Sequence, residues 1–318
     1  MPTRPRIIFM GTPEFAVASL DAILRAGYPV IAVITAPDKP AGRGMQLTES
    51  AVKKYAREKG LPVLQPEKLK NAAFLDELRS LAADLQVVVA FRMLPESVWN
   101  MPPMGTVNLH GSLLPQYRGA APINWAVING ETETGVTTFR LQQEIDTGDI
   151  LLQESFPIGP AETAGEVHDR MKDIGARLLV RTIDGLAAGT LREKPQTVVA
   201  GLRHAPKLFN ETCRIDWTRS TDSIYDLIRG LSPFPAAFTT LEAKILKIFR
   251  AEKEHFATDA GAASPSHPPG YADTDNRTYL RFATADGYIR VTDVQLEGKK
   301  RMKIADFLRG YKPRPQSG

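Results

Sequence analysis

Several residue types and patterns are scarce or missing in this chain of 318 residues, and each absence excludes a class of protein. The single cysteine, Cys213, excludes an internal disulfide and a cysteine-based zinc site. The five histidines are spread too widely along the chain to indicate another kind of metal site. No apolar run approaches the roughly 18 residues that a membrane-spanning helix needs. We therefore expect a protein with neither a metal nor a membrane-spanning segment.

The amino-terminal residues 1–6 lead directly into an apolar strand. They lack the hydrophobic region of a secretory signal and the length of a transit peptide. With 43% hydrophobic and 24% charged residues, the composition is ordinary for a soluble globular protein. We expect a cytoplasmic protein of roughly two domains.

Apolar runs alternate with helical patterns in the first half of the chain. Runs at 6–11, 30–34 and 85–91 predict buried strands, and strands are also expected at 136–141 and 150–158. This alternation predicts an α/β fold with a Rossmann-like parallel sheet, covered by helices on both faces. The Gly-x-Gly-x-x-Gly fingerprint is missing after the first strand, which counts against a dinucleotide cofactor.

The last third of the chain has a different pattern. Residues 190–206 are polar with little periodicity, and we expect them to link a first domain, 1–189, to a second domain, 207–318. Short alternating segments in the second domain predict a small OB-like β-barrel. Residues 257–277, rich in Ala, Ser, Pro, Gly and Asp, are predicted to form a mobile surface loop.

The net positive charge is confined to the second part of the chain. Residues 1–206 carry 22 Lys and Arg against 22 Asp and Glu, whereas the residues from Lys207 onward carry 18 against 14. The whole net charge of +4 therefore lies there, and its densest stretch is KKRMK at 299–303. A neutral first part and a basic second part fit a small-ligand site joined to a module that contacts a polyanion. An ordinary solvated basic face would have the same composition.

Three polar residues combine the group types needed to move an acyl group onto an amine. Asn108 and His110 lie two residues apart in a predicted strand, so both project to the same side, and Asp146 opens the turn DTGD. The amide can hold an oxyanion, the imidazole can shuttle a proton, and the carboxylate can orient and charge the imidazole. No serine or cysteine nucleophile is obvious beside them, so direct transfer is the first mechanism to consider. The same three residues are also compatible with an ordinary strand end and turn.

The flanking residues decide between these two interpretations. Residues 107–115 read VNLHGSLLP, 118–123 read RGAAPI and 146–149 read DTGD, and this series resembles the folate-dependent formyltransferase family. FMGTPEF at 9–15 and PDKPAGRG at 37–44 resemble the branch of that family that formylates methionyl-tRNA. The resemblance covers essentially the whole chain and continues at 207–208, 214–217 and 298–302.

The resemblance implies transfer of a formyl group from the cosubstrate 10-formyltetrahydrofolate to the α-amine of methionine on initiator tRNA. Asn108, His110 and Asp146 match the family's catalytic trio. Asn108 and His110 are expected to donate hydrogen bonds to the oxyanion, each worth about 3 kcal/mol when well placed. Asp146 either orients His110 and raises its basicity or takes a proton directly from the amine, and the sequence leaves both roles open.

The resemblance also implies a set of folate-binding residues: Ser112, Leu113, Leu114 and Pro115, with Val89 and Phe91 in a second wall of the pocket. Backbone groups of the 112–115 segment are expected to pair with the pterin ring while the leucines cover its face. The chain departs from the family at Phe91-Arg92, where Tyr-Gly is common. The arginine adds bulk and charge at the expected edge of the pocket.

Binding of tRNA is implied at two places. Arg43, with Lys39 nearby, lies in a Gly- and Pro-rich loop that the family uses to grip the acceptor end of tRNA, although 42–44 taken alone is an exposed turn. The basic cluster with Lys299, Lys300 and Lys303 is expected to hold the tRNA backbone. Its contribution should fall steeply as the salt concentration rises.

Three other classes of protein share part of this pattern. Formyltransferases that act on a small amine, such as glycinamide ribonucleotide or an amino sugar nucleotide, share Asn-x-His and the later Asp. A hydrolase that releases formate from the same cosubstrate would use the same site. A non-catalytic RNA-binding protein would need only the barrel, and the intact trio argues against it. The Arg43 loop and the basic second part favour tRNA, and the resemblance implies a monomer.

Overall fold

The computed structural model describes residues 4–41, 46–197, 200–255 and 267–313. The elements up to the long sixth helix are β1 (Ile7–Gly11), α1 (Glu14–Arg25), β2 (Val30–Ile34), β3 (Lys39–Ala41), β4 (Gln46–Thr48), α2 (Ala51–Glu58), β5 (Val63–Leu64), α3 (Ala72–Ser80), β6 (Leu85–Val89), α4 (Glu96–Trp99), β7 (Thr106–His110), β8 (Arg118–Gly119), α5 (Pro122–Ile128), β9 (Glu133–Arg140), β10 (Ile150–Pro157) and α6 (Ala164–Ala187). The later elements are β11 (His204–Ala205), α7 (Asn210–Cys213), α8 (Thr221–Gly230), β12 (Ala237–Leu241), β13 (Lys244–His255), β14 (Ala272–Thr274), β15 (Leu280–Ala283), β16 (Gly287–Leu296), β17 (Met302–Lys303) and α9 (Ile304–Gly310).

Two compact units account for these elements. The first unit consists of Met1–Gly119, Glu133–Phe156 and His168–His204. The second consists of Ala120–Thr132, Pro157–Val167 and Ala205–Gly318. Each unit therefore draws on more than one stretch of the chain.

The first unit is built on a seven-stranded sheet with the order β10-β9-β7-β6-β1-β2-β5. β1 pairs in parallel with β2 and β6, β2 with β5, and β6 with β7, which confirms the Rossmann-like expectation. β9, in contrast, runs antiparallel to β7 and makes the sheet mixed. The sequence did not predict this antiparallel strand, because an apolar run carries no mark of strand direction.

The core of the first unit lies on both faces of β1. This strand reads IIFMG and is buried at every position. Ile8 and Met10 join a core cluster with Phe74 and Leu78 of α3. A strand covered on both sides has no polar face, which is why the sequence shows an unbroken apolar run rather than alternation.

The second unit is an antiparallel sheet with the order β12-β13-β16-β15-β14, and β17 pairs with β16. Its core contains Trp217 and Phe282, whose rings stack with centroids 4.7 Å apart. The indole Nε1–H of Trp217 donates to Thr239 Oγ1 at 3.0 Å, so its polar atom is satisfied inside the core. α8 packs against β13 and β16. The predicted antiparallel strands are confirmed, and the sheet is a curled half-barrel consistent with an OB-like domain.

The structure adds detail to two segments that the sequence predicted to be irregular. Part of the loop predicted at 257–277 is strand β14, which pairs with β15, while 257–266 lie outside the described residues. Within the predicted linker, Lys194 forms an isolated antiparallel bridge with Ile150. Among the residues that the structure describes, no helix is long and apolar enough to cross a membrane, and no group of His, Cys, Asp or Glu side chains suits a metal ion.

Candidate active site

β7 places Asn108 and His110 on one face of the sheet. The strand pairs in parallel with β6 on one side and antiparallel with β9 on the other. Leu109 lies between the two polar residues and packs against Gly175 of α6, where an added Cβ would lie 2.9 Å from the leucine. Because residues two apart on a strand share a face, Asn108 and His110 project away from α6, as the spacing predicted.

His110 is held in one tautomer. The residue is 7% exposed, and its Nε2 lies 2.9 Å from the carbonyl oxygen of Tyr117. A carbonyl oxygen only accepts, so Nε2 carries the proton and donates it, and Nδ1 is the acceptor of the neutral ring. The edge-on ring of Phe139, with centroids 6.5 Å apart, packs beside it. His110 can therefore take up a proton only at Nδ1.

Asp146 faces that nitrogen from the loop between β9 and β10. Its Oδ2 accepts the backbone N–H of Gly119 at 2.9 Å and lies 3.7 Å from His110 Nδ1. This separation is longer than a hydrogen bond, so the two groups interact through charge once the ring is protonated. The backbone of Asp146 has a φ of 55°, in the left-handed region that aspartate adopts more readily than most residues.

The turn after Asp146 requires a glycine at its third position. A Cβ added to Gly148 would lie 1.6 Å from the carbonyl oxygen of Arg140. The neighbouring backbone is paired there, because the Arg140 N–H donates to the Asp149 carbonyl at 3.0 Å. Any side chain at position 148 would displace the loop that carries the Asp146 carboxylate.

The side-chain amide of Asn108 has no hydrogen-bond partner within the part of the chain that the structure describes. The residue is half-buried. An amide in that position keeps two N–H donors for a ligand. Asn108 therefore has the property expected of an oxyanion donor.

The segment expected to bind the pterin ring is tied to Thr137 of β9. The Thr137 hydroxyl donates to the Ser112 carbonyl at 2.6 Å and accepts the Leu114 N–H at 3.1 Å. The Leu114 side chain is buried. The Ser112 carbonyl and the Leu114 N–H are thus already hydrogen-bonded within the protein. The half-buried side chains of Leu113 and Pro115 are the parts of this segment that we expect to contact the folate.

In the second predicted wall of the pocket, one residue is buried and the other is partly accessible. Val89 is fully buried in the sheet, whereas Phe91 is half-buried at the edge of the core cluster. The guanidinium of Arg92 donates to the carbonyl oxygens of Glu67, at 2.8 Å, and Pro66. It also lies 5.6 Å from the centroid of the Phe91 ring. The unusual arginine is thus anchored to the loop at 66–67.

A cavity of about 760 Å³ lies next to these residues. Arg92 and Trp99 line it, together with Gln143 from the loop that leads to Asp146. Its volume is in the range of small-molecule pockets. None of the three trio residues is among its described lining, so the cavity does not contain the proposed reacting groups.

One residue that sequence reasoning missed is Gln196. Its side chain hydrogen-bonds both to the backbone of the Asp146 turn and to Arg118. A glutamine in a polar, aperiodic stretch carries no signal of such a role. Only the bridge between Lys194 and Ile150, a long-range contact, places it there.

The first predicted tRNA-binding element is the β3–β4 hairpin. Lys39 lies in β3 and is exposed, while Arg43 lies outside the described residues. At the base of the hairpin, Asp38 accepts hydrogen bonds from Lys53 Nζ and from Gln65 Nε2. These bonds, that from Lys53 above all, hold the pKa of Asp38 below its ordinary value. The hairpin that presents Lys39 is therefore anchored to the rest of the unit.

The second predicted tRNA-binding element is the turn at 299–303. Lys299 and Lys300 are exposed, and neither forms an ion pair within the described ranges. Lys303 and Arg301 instead bind the buried carboxylate of Asp293 at 2.8 and 2.9 Å. Burial alone would raise the pKa of Asp293, but the hydrogen bonds from these two cations outweigh it and lower the pKa. Two of the three predicted lysines are therefore without an ion pair among the described residues.

Known proteins match this chain along its length. The family model described as formyl transferase matches residues 5–183, and the model described as formyl transferase, C-terminal domain, matches residues 207–312. The methionyl-tRNA formyltransferase of Parabacteroides distasonis is 56% identical over 317 residues, covering 96% of each chain. The protein of the same name from Bacteroides thetaiotaomicron is 52% identical over 315 residues, again covering 96% of each.

Solved structures share the fold at lower identity. An N-formyltransferase from Helicobacter canadensis, in complex with folinic acid and dTDP-3-aminofucose, is 20% identical with a TM-score of 0.67, covering 94% of this chain and 100% of that one. HypX from Aquifex aeolicus, in complex with tetrahydrofolic acid, is 19% identical with a TM-score of 0.63. That match covers 99% of this chain and 49% of HypX, so the chain spans about half of its length. The two family models and the full-length identity show that the chain belongs to the formyl transferase family and, within it, to the methionyl-tRNA formyltransferases.

Proposed function

We propose that this chain transfers the formyl group of 10-formyltetrahydrofolate to the free amino group of methionine on initiator methionyl-tRNA, for translation initiation. The observation that carries the proposal is the 56% identity, over 96% of the chain, to a protein named for this reaction. The net positive charge from Lys207 onward suits a polyanionic acceptor. The proposed setting is the cytoplasm, where translation proceeds, and the proposed active form is a monomer.

The chemistry is assigned to residues 1–189 and the contacts to the tRNA backbone to residues 207–318, with 190–206 between them. The folate is placed against the half-buried side chains of Leu113, Pro115 and Phe91, which offer apolar surface to a flat ring. Lys39, Arg43, Lys299 and Lys300 are assigned to tRNA.

Asn108 stabilises the oxyanion that forms when the amine adds to the formyl carbon. Its amide is half-buried and unpaired among the described residues, so an N–H is available without breaking another bond. A well-placed donor of this kind contributes about 3 kcal/mol to the transition state. Because the Nε2–H of His110 is already donated to Tyr117, Asn108 is the side-chain donor of this site while the ring is neutral.

His110 and Asp146 provide the path for the proton. Nδ1 and Oδ2 are two acceptors 3.7 Å apart, so one amine nitrogen lying beside them donates an N–H to each. When the carbon–nitrogen bond forms, the surplus proton moves to Nδ1. The resulting imidazolium is stabilised by the Asp146 carboxylate and by the Tyr117 carbonyl. The same proton then passes to N10 of the folate as its bond to the formyl carbon breaks.

One assay with several acceptors tests the proposal. The purified chain is incubated with 10-formyltetrahydrofolate labelled in the formyl group and with charged initiator tRNA, uncharged initiator tRNA, glycinamide ribonucleotide or water. We expect label on the charged tRNA alone, because the uncharged tRNA offers the same phosphates but no methionine amine. Label on the ribonucleotide, or formate released at the rate seen with charged tRNA, would replace the proposal with one of those reactions.

A further inference from the structure

Gln196 joins two sides of the candidate active site through one side-chain amide. Its Nε2 donates to the carbonyl oxygens of Asp146 and Gly148 at 2.9 and 2.8 Å. Its Oε1 accepts from Nε and Nη2 of Arg118 at 3.1 and 2.6 Å. Carbonyls only accept and guanidinium groups only donate, so these partners permit a single orientation of the amide. Both donors and both acceptor positions of the amide are therefore used.

The backbone next to Gln196 is anchored independently. Lys194 and Ile150 exchange two backbone hydrogen bonds of 2.8 and 2.9 Å. Ile150 begins β10 directly after the 146–149 turn. This bridge brings Gln196 beside the turn in a half-buried position, where hydrogen bonds are screened less than at the surface.

Arg118 connects the same amide to the contacts of His110. It lies between Tyr117, whose carbonyl accepts the His110 Nε2–H, and Gly119, whose N–H donates to Asp146 Oδ2. Tyr117 and Asp146 have φ values of 60° and 55°, a backbone region that needs support from its surroundings. The segment 117–119, which contacts both His110 and Asp146, and the turn that carries Asp146 are thus both hydrogen-bonded to Gln196.

We propose that Gln196 is a positioning residue that sets the separation between His110 Nδ1 and Asp146 Oδ2. It acts through the Asp146 turn and through Arg118. Without the amide, the two segments lose their shared partner, and the two acceptors no longer meet one amine nitrogen. A displacement of about 1 Å is enough to lower a rate about a hundredfold. The kinetic consequence rests on the proposed formyl transfer, whereas the geometric consequence does not.

Two substitutions distinguish the role of the amide nitrogen of Gln196 from that of its oxygen. Gln196→Met keeps the length of the side chain and removes all four hydrogen bonds, while Gln196→Glu keeps the acceptor for Arg118 and turns a carboxylate toward two carbonyl oxygens. We expect kcat to fall at least about tenfold in both variants, with KM for either substrate within about twofold, because positioning affects the reacting geometry more than binding. Thr197→Ala, an exposed neighbour, is the control and should keep the wild-type kcat. Thermal unfolding establishes that each variant is folded.

Nuclear magnetic resonance of the histidine side chains gives a second readout without substrate. The chain has five histidines, so the ¹⁵N signals of His110 can be assigned with His110→Ala. We expect these signals to move in Gln196→Met and to stay in Thr197→Ala. Wild-type kcat in folded Gln196→Met overturns the proposal, and so do unchanged His110 signals in that variant. If the wild-type chain formylates no acceptor, the proposed function is overturned instead. The positioning role of Gln196 is then tested by the His110 signals alone.

Discussion

The candidate active site and the basic turn at 299–303 differ in how far their polar groups are buried and hydrogen-bonded. In the first, His110 and Asp146 are buried and each has a fixed hydrogen-bond partner. In the second, Lys299 and Lys300 extend into solvent, and one buried carboxylate, Asp293, binds the neighbouring cations. The proposed chemistry thus depends on a few buried atoms, whereas the proposed binding of tRNA is spread over an exposed surface.

This difference predicts how each region responds to change. Buried groups interact in a low local dielectric, so the loss of one atom has a large effect that salt does not alter. Exposed cations act through a field that salt screens within about 10 Å at 0.1 M ionic strength. Substitutions in the active site should therefore lower kcat strongly, and substitutions in the turn should lower tRNA affinity weakly and in a salt-dependent way.

Asp146→Asn is expected to have the largest effect, a fall in kcat of at least about a hundredfold, the usual scale for acid–base groups. Asparagine still accepts the Gly119 N–H but removes the charge that faces His110. Steady-state formylation of charged initiator tRNA measures kcat, and an unchanged melting temperature shows that folding is intact. Asp149→Asn, half-buried in the same turn, is the control and should stay near the wild-type rate. A near-wild-type rate in Asp146→Asn would remove Asp146 from the mechanism.

Asn108→Ala should lower kcat about a hundredfold with little change in KM, since it removes a donor that acts mainly on the transition state. The same assay, run over a range of folate and tRNA concentrations, separates the two constants. Asn100→Ala, at an exposed position after α4, is the control. A raised KM with unchanged kcat would make Asn108 a binding group instead.

Arg43→Ala is expected to raise KM for tRNA about tenfold, or roughly 1.4 kcal/mol, while folate binding stays unchanged. The planar guanidinium suits phosphate and base-edge contacts that alanine cannot make. Folate binding is measured separately by fluorescence titration, and Arg79→Ala, an exposed arginine of α3, is the control. Equal losses for both substrates would identify the loop as a folding element.

Replacing both Lys299 and Lys300 by alanine should weaken tRNA binding several-fold and reduce the slope of log affinity against log salt by roughly one for each lysine. Lys303→Ala should have a smaller effect, because the Asp293 carboxylate, 2.8 Å from its ammonium group, offsets part of that charge. Filter binding between 50 and 200 mM salt, roughly the range over which such contacts weaken most visibly, measures both quantities. Equal effects per lysine at all three positions would contradict the role assigned to Asp293.

Asp293→Asn should have the smallest effect on formylation and act mainly on stability, lowering the free energy of unfolding most at neutral pH and least in acid. The folded-state pKa of Asp293 is lowered below the ordinary value of 3.8, so its stabilising contribution is present above about pH 4 and is lost as the pH falls through the folded-state pKa. Urea unfolding at pH 7, 4 and 3 should therefore show a flatter loss of stability in the variant, with Asp306→Asn, at the exposed start of α9, as the control. An identical acid response in wild type and variant would mean that the pairing does not stabilise the unit.

The features that could be predicted from the sequence depend on local interactions, and those that could not depend on contacts between distant residues. Asn108 and His110 were placed on one face by the two-residue period of a strand, a purely local property. The antiparallel direction of β9 and the pairing of β14 were missed, because strand partners are chosen by distant parts of the chain. Gln196 was missed for the same reason, since its partners lie 48 or more residues away.

By itself the sequence determined which groups are available for chemistry, where the buried strands run and which part of the chain carries the excess positive charge. These are properties of residue identity and short-range periodicity. The tertiary structure decided that the His110 Nε2–H is donated to Tyr117 and that Nδ1 faces Asp146 across 3.7 Å. It also decided that Asp293 binds Lys303, whereas Lys299 and Lys300 form no ion pair with any residue that the structure describes. Hydrogen bonds and ion pairs depend on distances of a few tenths of an ångström between residues far apart in the chain, and only the folded backbone sets those distances.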